Sequence, residues 1–439
     1  MSSPAQSNPR LAPEMVSVSA LDSLDRARHR WYFFKEAFSP EIVKSATADA
    51  GCKKDDLIVD PFCGSGTVPL QAALDGQSAA GIEVNPFLAF VANSKIQQCG
   101  VAALEAWAET AAKAARRGKK SALTGFSTFT ERGELSKWLF NTEVLDAFEG
   151  AWQSVDTPTR QGASQQLLKL CLIGAAMDVC NAVKDGKCLR YRTNWKDRAF
   201  GTDDFLDAAE SRVRIVTEDL KNAPLDSPTV SVRRGDARRR SVGKSFRLCV
   251  TSPPYLNSFD YTDVYRPELF LGKWVRDMKD LRALRLRTLR SHVQVGWKNP
   301  TMDDFGLHYA ESMEAVLRRS SQLWDCRIPR MIQAYFEDMR RVLMNLRSRA
   351  QKDASVWLVV SNSAYAGVEI PVDLIIAEVA SSCQWYLREI KVVRYLGRVA
   401  CQQWSELAEK KTNGPHLRES LIILDTRPRG TRNGNECLA

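Results

Sequence analysis

One segment limits the fold of this 439-residue chain more than any other. Residues 57–59 form a short apolar run that leads into a turn containing Gly64 and Gly66. A helix-like stretch over 68–74 and a second apolar run over 79–84 follow directly. A strand, a glycine turn, a helix and another strand in this order open a doubly wound parallel sheet. The sequence therefore predicts an α/β fold with ligands at the ends of its strands.

Further strand candidates come much later in the chain. Residues 230–233, 246–251 and 356–360 are short runs rich in Val, Leu or other apolar residues, as buried strands require. The last two runs, over 386–395 and 421–424, are predicted to close the sheet as an antiparallel pair. The expected sheet is therefore mostly parallel, with a late antiparallel pair.

The region between the two halves has a different pattern. Apolar residues such as Leu135, Leu139 and Phe148 recur there at helical spacing. We expect four parts: a flexible tail over 1–20, a discontinuous catalytic domain over 21–98 and 230–425, a helical insertion over 99–229 that is a candidate for nucleic-acid binding, and a flexible basic tail over 426–439.

Composition narrows the functional class. A net charge of +10 and a pI near 9.0 favour a polyanionic partner, because basic proteins release counterions when they bind phosphates. The 11 cysteines contain no C-x-x-C pair, so neither a zinc site nor a disulfide framework is expected. No apolar stretch reaches the length of a membrane span. We expect a cytoplasmic protein that associates with the nucleoid through DNA and has no membrane partner.

The glycine turn excludes two common phosphate-binding motifs. A P-loop needs Gly-Lys-Ser or Gly-Lys-Thr at its end, and a dinucleotide fingerprint needs a third small residue where Pro69 stands. Glu83 closes the second predicted strand, where an acidic side chain accepts hydrogen bonds from a ribose diol. Together the turn and Glu83 predict an adenosine-like ligand.

These motifs resemble a known family. Asp-Pro-Phe-Cys-Gly-Ser-Gly-Thr at 60–67 and Gly-Ile-Glu-Val-Asn-Pro at 81–86 resemble the cofactor motifs of the amino-methyltransferases of DNA and RNA. Asp236 resembles the family's acidic residue that binds the adenine amino group, and residues 29–43 resemble the segment that lines the methionine end. The resemblance implies a Rossmann-like methyltransferase fold with S-adenosylmethionine as cofactor. The candidate cofactor-binding residues are Phe38, Asp60, Pro61, Phe62, Cys63, Gly64, Ser65, Gly66, Thr67, Glu83, Asn85 and Asp236.

The catalytic candidates follow a predicted strand, and they are Ser252, Pro253, Pro254 and Tyr255. They should lie at the carboxyl edge of the sheet, beside the glycine turn. An exocyclic base amine is a poor nucleophile because its lone pair is delocalised into the ring. The Ser252 hydroxyl and the Pro253 carbonyl can accept its hydrogens while Tyr255 stacks on the base, so that the amine attacks the methyl group directly.

The order of residues in this motif points to one base. Ser-Pro-Pro-Tyr resembles the cytosine-N4 branch of the family, and the chain lacks the Pro-Cys dipeptide that cytosine-C5 enzymes carry. The cofactor motif precedes the catalytic motif here, whereas many Ser-Pro-Pro-Tyr enzymes have the reverse order. The preferred function is site-specific DNA cytosine-N4 methylation of a flipped-out base. The alternatives are adenine-N6 methylation of DNA, guanosine-N2 methylation of RNA, and a non-enzymatic scaffold.

Two basic stretches are candidates for contacts with double-stranded DNA, or with RNA as the alternative. Both mix cations with aromatic or polar residues, as phosphate contacts combined with stacking require. The candidates are Lys184, Lys187, Arg190, Tyr191, Arg192, Trp195, Lys196, Arg285, Arg287 and Arg290. Solvated basic loops are the other interpretation. The recognition sequence, the oligomeric state and the presence of a companion restriction endonuclease in a restriction-modification system stay open.

Overall fold

A computed structural model describes residues 10–11, 19–156, 162–185, 188–225, 229–243, 245–396 and 417–428. The strands are β1 (Arg10–Leu11), β2 (Leu57–Asp60), β3 (Ser78–Glu83), β4 (Ala182–Asp185), β5 (Cys188–Tyr191), β6 (Val230–Arg234), β7 (Phe246–Thr251), β8 (Ala350–Ser361), β9 (Ser363–Tyr365), β10 (Val368–Ile370), β11 (Tyr386–Tyr395) and β12 (Arg418–Asp425).

The helices alternate with the strands in the two halves of the chain and cluster between β3 and β6. They are α1 (Pro40–Ala50), α2 (Thr67–Leu74), α3 (Pro86–Lys95), α4 (Val101–Arg117), α5 (Thr142–Val155), α6 (Ala163–Asp178), α7 (Thr202–Asn222), α8 (Tyr261–Val264), α9 (Arg266–Leu271), α10 (Met278–Arg285), α11 (Leu307–Arg318), α12 (Ile328–Arg347) and α13 (Val372–Ser382).

The main sheet has the strand order β1-β11-β12-β8-β7-β2-β3-β6. The strands from β8 to β6 are parallel, and β12 is antiparallel to both β8 and β11. The expected α/β fold, mostly parallel with a late antiparallel pair, is confirmed. Because the chain leaves β2 for β3 on one side and returns to β7 on the other, the order reverses between β2 and β7. Ligands of open α/β sheets bind in the crevice at such a reversal.

The region between β3 and β6 is largely helical. Helices α4 to α7 bury large side chains such as Phe148, Trp152 and Phe205 in a common core. The same core includes Phe87 of α3 and Phe270 of α9, so apolar packing joins these helices to the rest of the protein. The antiparallel hairpin β4–β5 lies in the same region. Its polar, charged sequence does not alternate clearly, which explains why periodicity did not predict it.

A carboxylate in α7 fixes the segment that precedes α1. Asp219, 2% exposed, accepts hydrogen bonds from the backbone N–H of Arg28 at 2.8 Å, from Nη2 of Arg30 at 2.6 Å and from Nε1 of Trp31 at 2.8 Å. Asp219 therefore ties residues 28–31 to α7, in addition to local backbone bonds such as that from the Arg30 N–H to the Arg26 carbonyl at 3.0 Å. Upstream, within the stretch expected to be a flexible tail, β1 pairs with β11.

The helices differ in length and in apolar content. Across the part of the chain that the structure describes, none combines the length and apolar character needed to traverse a bilayer.

Candidate active site

A cavity of about 710 Å³ opens at the carboxyl ends of β2, β3 and β7, where the strand order reverses. Its lining includes Gly64 from the glycine turn, Glu83 from β3, and both Ser252 and Tyr255 from the loop after β7. The volume falls within the range of about 300 to 1,000 Å³ that is typical of small-molecule sites. The two motifs singled out in the sequence thus line one cavity.

The glycine turn is shaped by conformations and close contacts that other residues do not tolerate. Gly66 has φ +89°, and a Cβ there would lie 2.8 Å from Cβ of Ala92 and 2.9 Å from its Cα. Gly64 has φ +51°, and a Cβ there would lie 3.0 Å from Cε1 of Phe34. Only glycine fits this geometry without displacing α3 or the Phe34 ring. Gly64 of this turn is buried and lines the cavity.

Glu83 holds the turn from the end of β3. One carboxylate oxygen accepts the N–H of Gly64 at 2.8 Å, and the other accepts the N–H of Asn85 at 2.8 Å. A carboxylate has about four acceptor sites, so about two remain for a ribose diol in the cavity. Burial raises the pKa of Glu83 to about 7, against the lowering effect of these backbone donors.

Asp60 connects the cofactor strand to the catalytic strand. Its carboxylate accepts the Thr251 hydroxyl at 2.6 Å and the N–H of Phe62 at 2.9 Å. Burial raises its pKa to about 7. Asp60 and Gly66 lie behind the cavity wall, whereas the other predicted cofactor residues line it, namely Phe38, Pro61, Phe62, Cys63, Gly64, Ser65, Thr67, Glu83, Asn85 and Asp236.

Asp236 lines the same cavity as residues 33–38. Its Oδ1 accepts Nε of Arg238 at 2.9 Å and its Oδ2 accepts Nη2 of Arg238 at 2.8 Å. Arg238 also donates to buried Asp338 at 2.8 Å. The neighbouring Gly235 donates its N–H to the carbonyl of Glu83 at 2.9 Å. These contacts hold Asp236 next to Glu83, with a carboxylate edge available to a ligand amino group.

The catalytic loop is supported by a residue that sequence reasoning missed, just ahead of the strand predicted over 421–424. The Tyr255 hydroxyl donates to Glu419 of β12 at 2.6 Å, and Nε of Arg394 on β11 donates to the same carboxylate at 2.7 Å. The Ser252 hydroxyl lies 3.5 Å from the Tyr255 hydroxyl. Burial, followed by the charge of Glu419, raises the pKa of Tyr255 well above its usual value, so the phenol is neutral. The one signal for Glu419 was a carboxylate two residues before the apolar run over 421–424.

Several predicted nucleic-acid contacts are instead bound within the protein. The guanidinium of Arg290, 6% exposed, pairs with Asp338 at 2.6 Å and with Glu337 at 2.5 Å. Arg285 pairs with buried Asp260 at 2.6 Å. The assignment of Arg290 and Arg285 to phosphate contacts is corrected on this ground, because buried carboxylates already neutralise them.

Three residues of the first basic stretch also differ from expectation. Arg192 donates to the carbonyls of Cys180 at 2.8 Å and Asp178 at 2.9 Å. Trp195 is buried, with its ring centroid 4.7 Å from that of Trp138, and so it is not free to stack on a base. Lys184 points into the cavity wall and pairs with buried Glu268.

Other candidates keep an outward position. Arg190 has a side chain that is 72% exposed, and Lys196 and Arg287 are exposed. Tyr191 is half-buried, with Nζ of Lys137 5.5 Å from its ring centroid. Lys187 lies outside the described residues.

Comparisons with known proteins agree with the chemistry of the cavity. A family model described as an RMKL-like methyltransferase domain matches residues 28–130. Type II methyltransferase M.BsoBI of Geobacillus stearothermophilus is 26% identical over 423 residues, which cover 84% of this chain and 80% of the relative. Type II methyltransferase M.AvaI of Nostoc sp. is 25% identical over 426 residues, covering 87% of this chain and 84% of the relative.

Two further similarities are more limited. A tRNA (guanine(10)-N2)-dimethyltransferase of Methanothermobacter thermautotrophicus is 28% identical over 92 residues, covering 20% of this chain and 27% of the relative. TrmN of Thermus thermophilus, a solved structure, has a TM-score of 0.30 at 9% identity and covers 92% of this chain and 52% of that one. A TM-score this low adds nothing to the fold described above.

A cofactor with an adenosine and a charged tail fits these residues. Gly64 lines the cavity without a side chain, and the Glu83 and Asp236 carboxylates can accept hydrogen bonds from hydroxyl and amino donors. The resemblance found in the motifs extends over most of the chain in the Type II relatives. The protein thus resembles the DNA amino-methyltransferases, and S-adenosylmethionine is its cofactor.

Proposed function

We propose that the protein methylates an exocyclic amino group of a DNA base, with N4 of cytosine as the preferred target. The observation that carries this proposal is that the Ser-Pro-Pro-Tyr loop and the cofactor residues line the same cavity. The relatives that cover most of the chain are named Type II methyltransferases, which supports site-specific modification within a restriction-modification system.

The cofactor supplies a methyl group on a positively charged sulfur. Glu83 would accept hydrogen bonds from the ribose, Asp236 would accept one from the adenine amino group, and the backbone around Gly64 would help to hold the cofactor. Asp60 ties the cofactor-binding strand β2 to the catalytic strand β7, because its carboxylate accepts the hydroxyl of Thr251, the residue just before Ser252. The distance between the cofactor and the catalytic loop is thus set by a buried hydrogen bond.

Ser252 and Pro253 orient the amine of the target base. The Ser252 hydroxyl can donate toward Tyr255, which leaves its oxygen lone pairs to accept a hydrogen of the amine. The Pro253 carbonyl accepts the second hydrogen. With both hydrogens held, the nitrogen lone pair is aimed at the methyl group, and rigid prolines reduce the ordering required.

Tyr255 provides the stacking surface for the base. Its hydroxyl is anchored by Glu419, so the ring is held in one orientation before the base arrives. Because the phenol is neutral, Tyr255 acts by position and not as a base. A base can reach this cavity from a duplex only by leaving the helical stack.

The charge of the protein supports a duplex partner. The net charge is +10. Exposed Arg190 lies on β5 of the β4–β5 hairpin, and Lys184 on β4 of the same hairpin lines the cavity. Arg287, which is exposed, lines the cavity as well. Cations at the mouth of the cavity can hold the phosphates that flank a flipped nucleotide.

The test is incubation of the purified protein with duplex DNA and cofactor carrying a labelled methyl group, followed by mass spectrometry of the nucleosides. We expect labelled N4-methylcytosine. N6-methyladenine would keep the mechanism and change the base. Label found only in RNA guanosine would contradict the DNA substrate, and no label in any nucleic acid would contradict the function.

Variants of Tyr255 separate stacking from hydrogen bonding. Tyr255→Ala should lose base stacking worth about 1 to 3 kcal/mol, while Tyr255→Phe keeps the ring and loses the hydroxyl contacts with Glu419 and Ser252. We therefore expect a larger loss of turnover in Tyr255→Ala, with cofactor affinity unchanged in both. Tyr386→Ala, an exposed tyrosine at the start of β11, serves as the control.

A further inference from the structure

Two opposite charges at one end of the cavity have no role in the proposed reaction. Glu36 lies in the segment before α1, and Lys184 lies on β4, yet both line the cavity. Tyr265 joins them, because its hydroxyl donates to Glu36 at 2.6 Å while Nζ of Lys184 lies 4.7 Å from its ring centroid. A carboxylate and an ammonium therefore face the cavity side by side.

Both groups keep hydrogen-bonding capacity. The Lys184 ammonium has three donors, and it uses one for the Tyr32 hydroxyl at 2.9 Å and one for Glu268. The Glu36 carboxylate accepts from Tyr265 and has further acceptor sites. Burial raises the pKa of Glu36, because the ionised carboxylate loses solvation there. A bound cation would offset that loss.

The contacts also give the order of groups along the cavity. Asp236 is next to Glu83 through the bond from Gly235, and Glu83 holds Gly64. Gly64 faces the Phe34 ring, and Phe34 lies two residues before Glu36. The cofactor has its chemical groups in a matching order: adenine amino group, ribose diol, sulfur, and an amino acid with one ammonium and one carboxylate.

We propose that Glu36 and Lys184 bind the amino acid end of S-adenosylmethionine, Glu36 taking the ammonium and Lys184 the carboxylate. The helical region between β3 and β6 then supplies part of the cofactor site, through the hairpin that carries Lys184. Lys184 is accordingly a cofactor residue and not a phosphate contact. The inference depends on the cofactor and is independent of which base is methylated.

Calorimetry with two ligands that have no transferable methyl group tests this proposal. S-adenosylhomocysteine keeps the amino acid end, whereas 5′-methylthioadenosine keeps only adenine, ribose and sulfur. For Glu36→Gln we expect binding of S-adenosylhomocysteine to weaken about 10- to 100-fold, because a hydrogen bond between charged groups is lost. Binding of 5′-methylthioadenosine should stay within about 2-fold of the unmodified protein, since that ligand has no charged tail.

The Lys184 variant needs a matched background. Lys184→Met alone leaves Glu268, 0% exposed, without its ammonium partner and can destabilise the fold. The double variant Lys184→Met, Glu268→Gln is therefore compared with the single variant Glu268→Gln. We expect the double variant to bind S-adenosylhomocysteine more weakly and 5′-methylthioadenosine equally well. Lys113→Met, on an exposed position of α4, should leave both ligands unaffected.

The outcomes separate recognition of the charged tail from support of the cavity. Equal loss of both ligands in Glu36→Gln would mean that the residue maintains the cavity, and it would overturn the inference. Unchanged binding of S-adenosylhomocysteine in both variants would overturn it as well. Failure of the unmodified protein to bind either ligand would overturn the cofactor assignment and this inference with it.

Discussion

The cofactor wall of the cavity and the two basic stretches, residues 184–198 and 285–290, make an instructive contrast. The carboxylate Glu83 and the glycine turn lie where the sheet topology requires them. Of the basic residues, Arg190 is exposed whereas Arg290 is buried among carboxylates. Strand ends meet at one edge whatever surrounds them, but the position of a loop arginine depends on partners distant in sequence. Residue type therefore identifies a site at the ends of strands, but it does not identify which loop arginines are exposed.

The largest expected effect concerns Arg290. Arg290→Met leaves Glu337 and Asp338 with less compensation, and we expect the free energy of unfolding to fall by about 3 kcal/mol or more. Arg238 still reaches Asp338 at 2.8 Å, which limits the loss. Urea unfolding measures it, with exposed Arg190→Met as the control at about 1 kcal/mol or less. Unchanged stability with weaker DNA binding would return Arg290 to the phosphate contacts.

The next effect tests the glycine turn. Gly66→Ala and Gly76→Ala both place a side chain at positive φ, +89° and +70°, but only the first meets Ala92. We expect Gly66→Ala to cost about 1 to 3 kcal/mol more than Gly76→Ala, since overpacking adds to backbone strain. Cofactor binding should be lost only in Gly66→Ala. Equal stabilities for the two variants would mean that the contact with α3 is not tight.

The third prediction concerns pH. The pKa of Glu83 is about 7 in the folded protein against an ordinary value of 4.5, so the folded state holds the proton more tightly. Without cofactor, the stability from this group is complete below about pH 4.5 and is lost as pH rises through about 7, by up to about 3 kcal/mol. Urea unfolding at several pH values should show this fall reduced in Glu83→Gln. Exposed Glu109→Gln should behave like the unmodified protein.

Cofactor binding should have the opposite pH dependence. Ribose hydroxyls donate more strongly to an ionised carboxylate, so S-adenosylhomocysteine should raise the melting temperature more at pH 8 than at pH 6. A rise that is independent of pH would indicate that Glu83 does not receive the ribose.

The smallest effect concerns salt. In Arg190→Met the slope of log affinity for duplex DNA against log salt should decrease by about 1, because one phosphate contact is removed. Arg318→Met is a matched control, since Arg318 is 75% exposed and also paired with a carboxylate, on α11. Equal slopes for both variants would place the DNA away from the hairpin.

Prediction from sequence succeeded where structure is local. The run over 57–84 predicted its strands and helix because the apolar pattern, the glycines and the acidic strand end lie close together in the chain. Glu419 was missed because its role depends on β12 lying beside β8 and bringing it to Tyr255. Lys184 was assigned to nucleic acid because nothing near it in sequence reveals Glu268 or Tyr32.

The Asp219 carboxylate has a consequence for biosynthesis. It binds residues 28, 30 and 31, so the segment leading to Phe34 and Glu36 completes its contacts only after α7 has been translated, whereas the bonds from Arg28 to the Gln97 carbonyl and from Lys95 to the Tyr32 carbonyl use residues made earlier. A ribosome that has translated the glycine turn has therefore not yet translated Asp219, which completes the contacts of the segment leading to Phe34. Because contacts of such long sequence separation form slowly, the part of the cavity wall formed by residues 33–38 should be among the last parts of the protein to become ordered. Nascent chains that end before α7 lack the carboxylate that accepts the Trp31 indole N–H, so this indole is without that hydrogen bond until α7 is made.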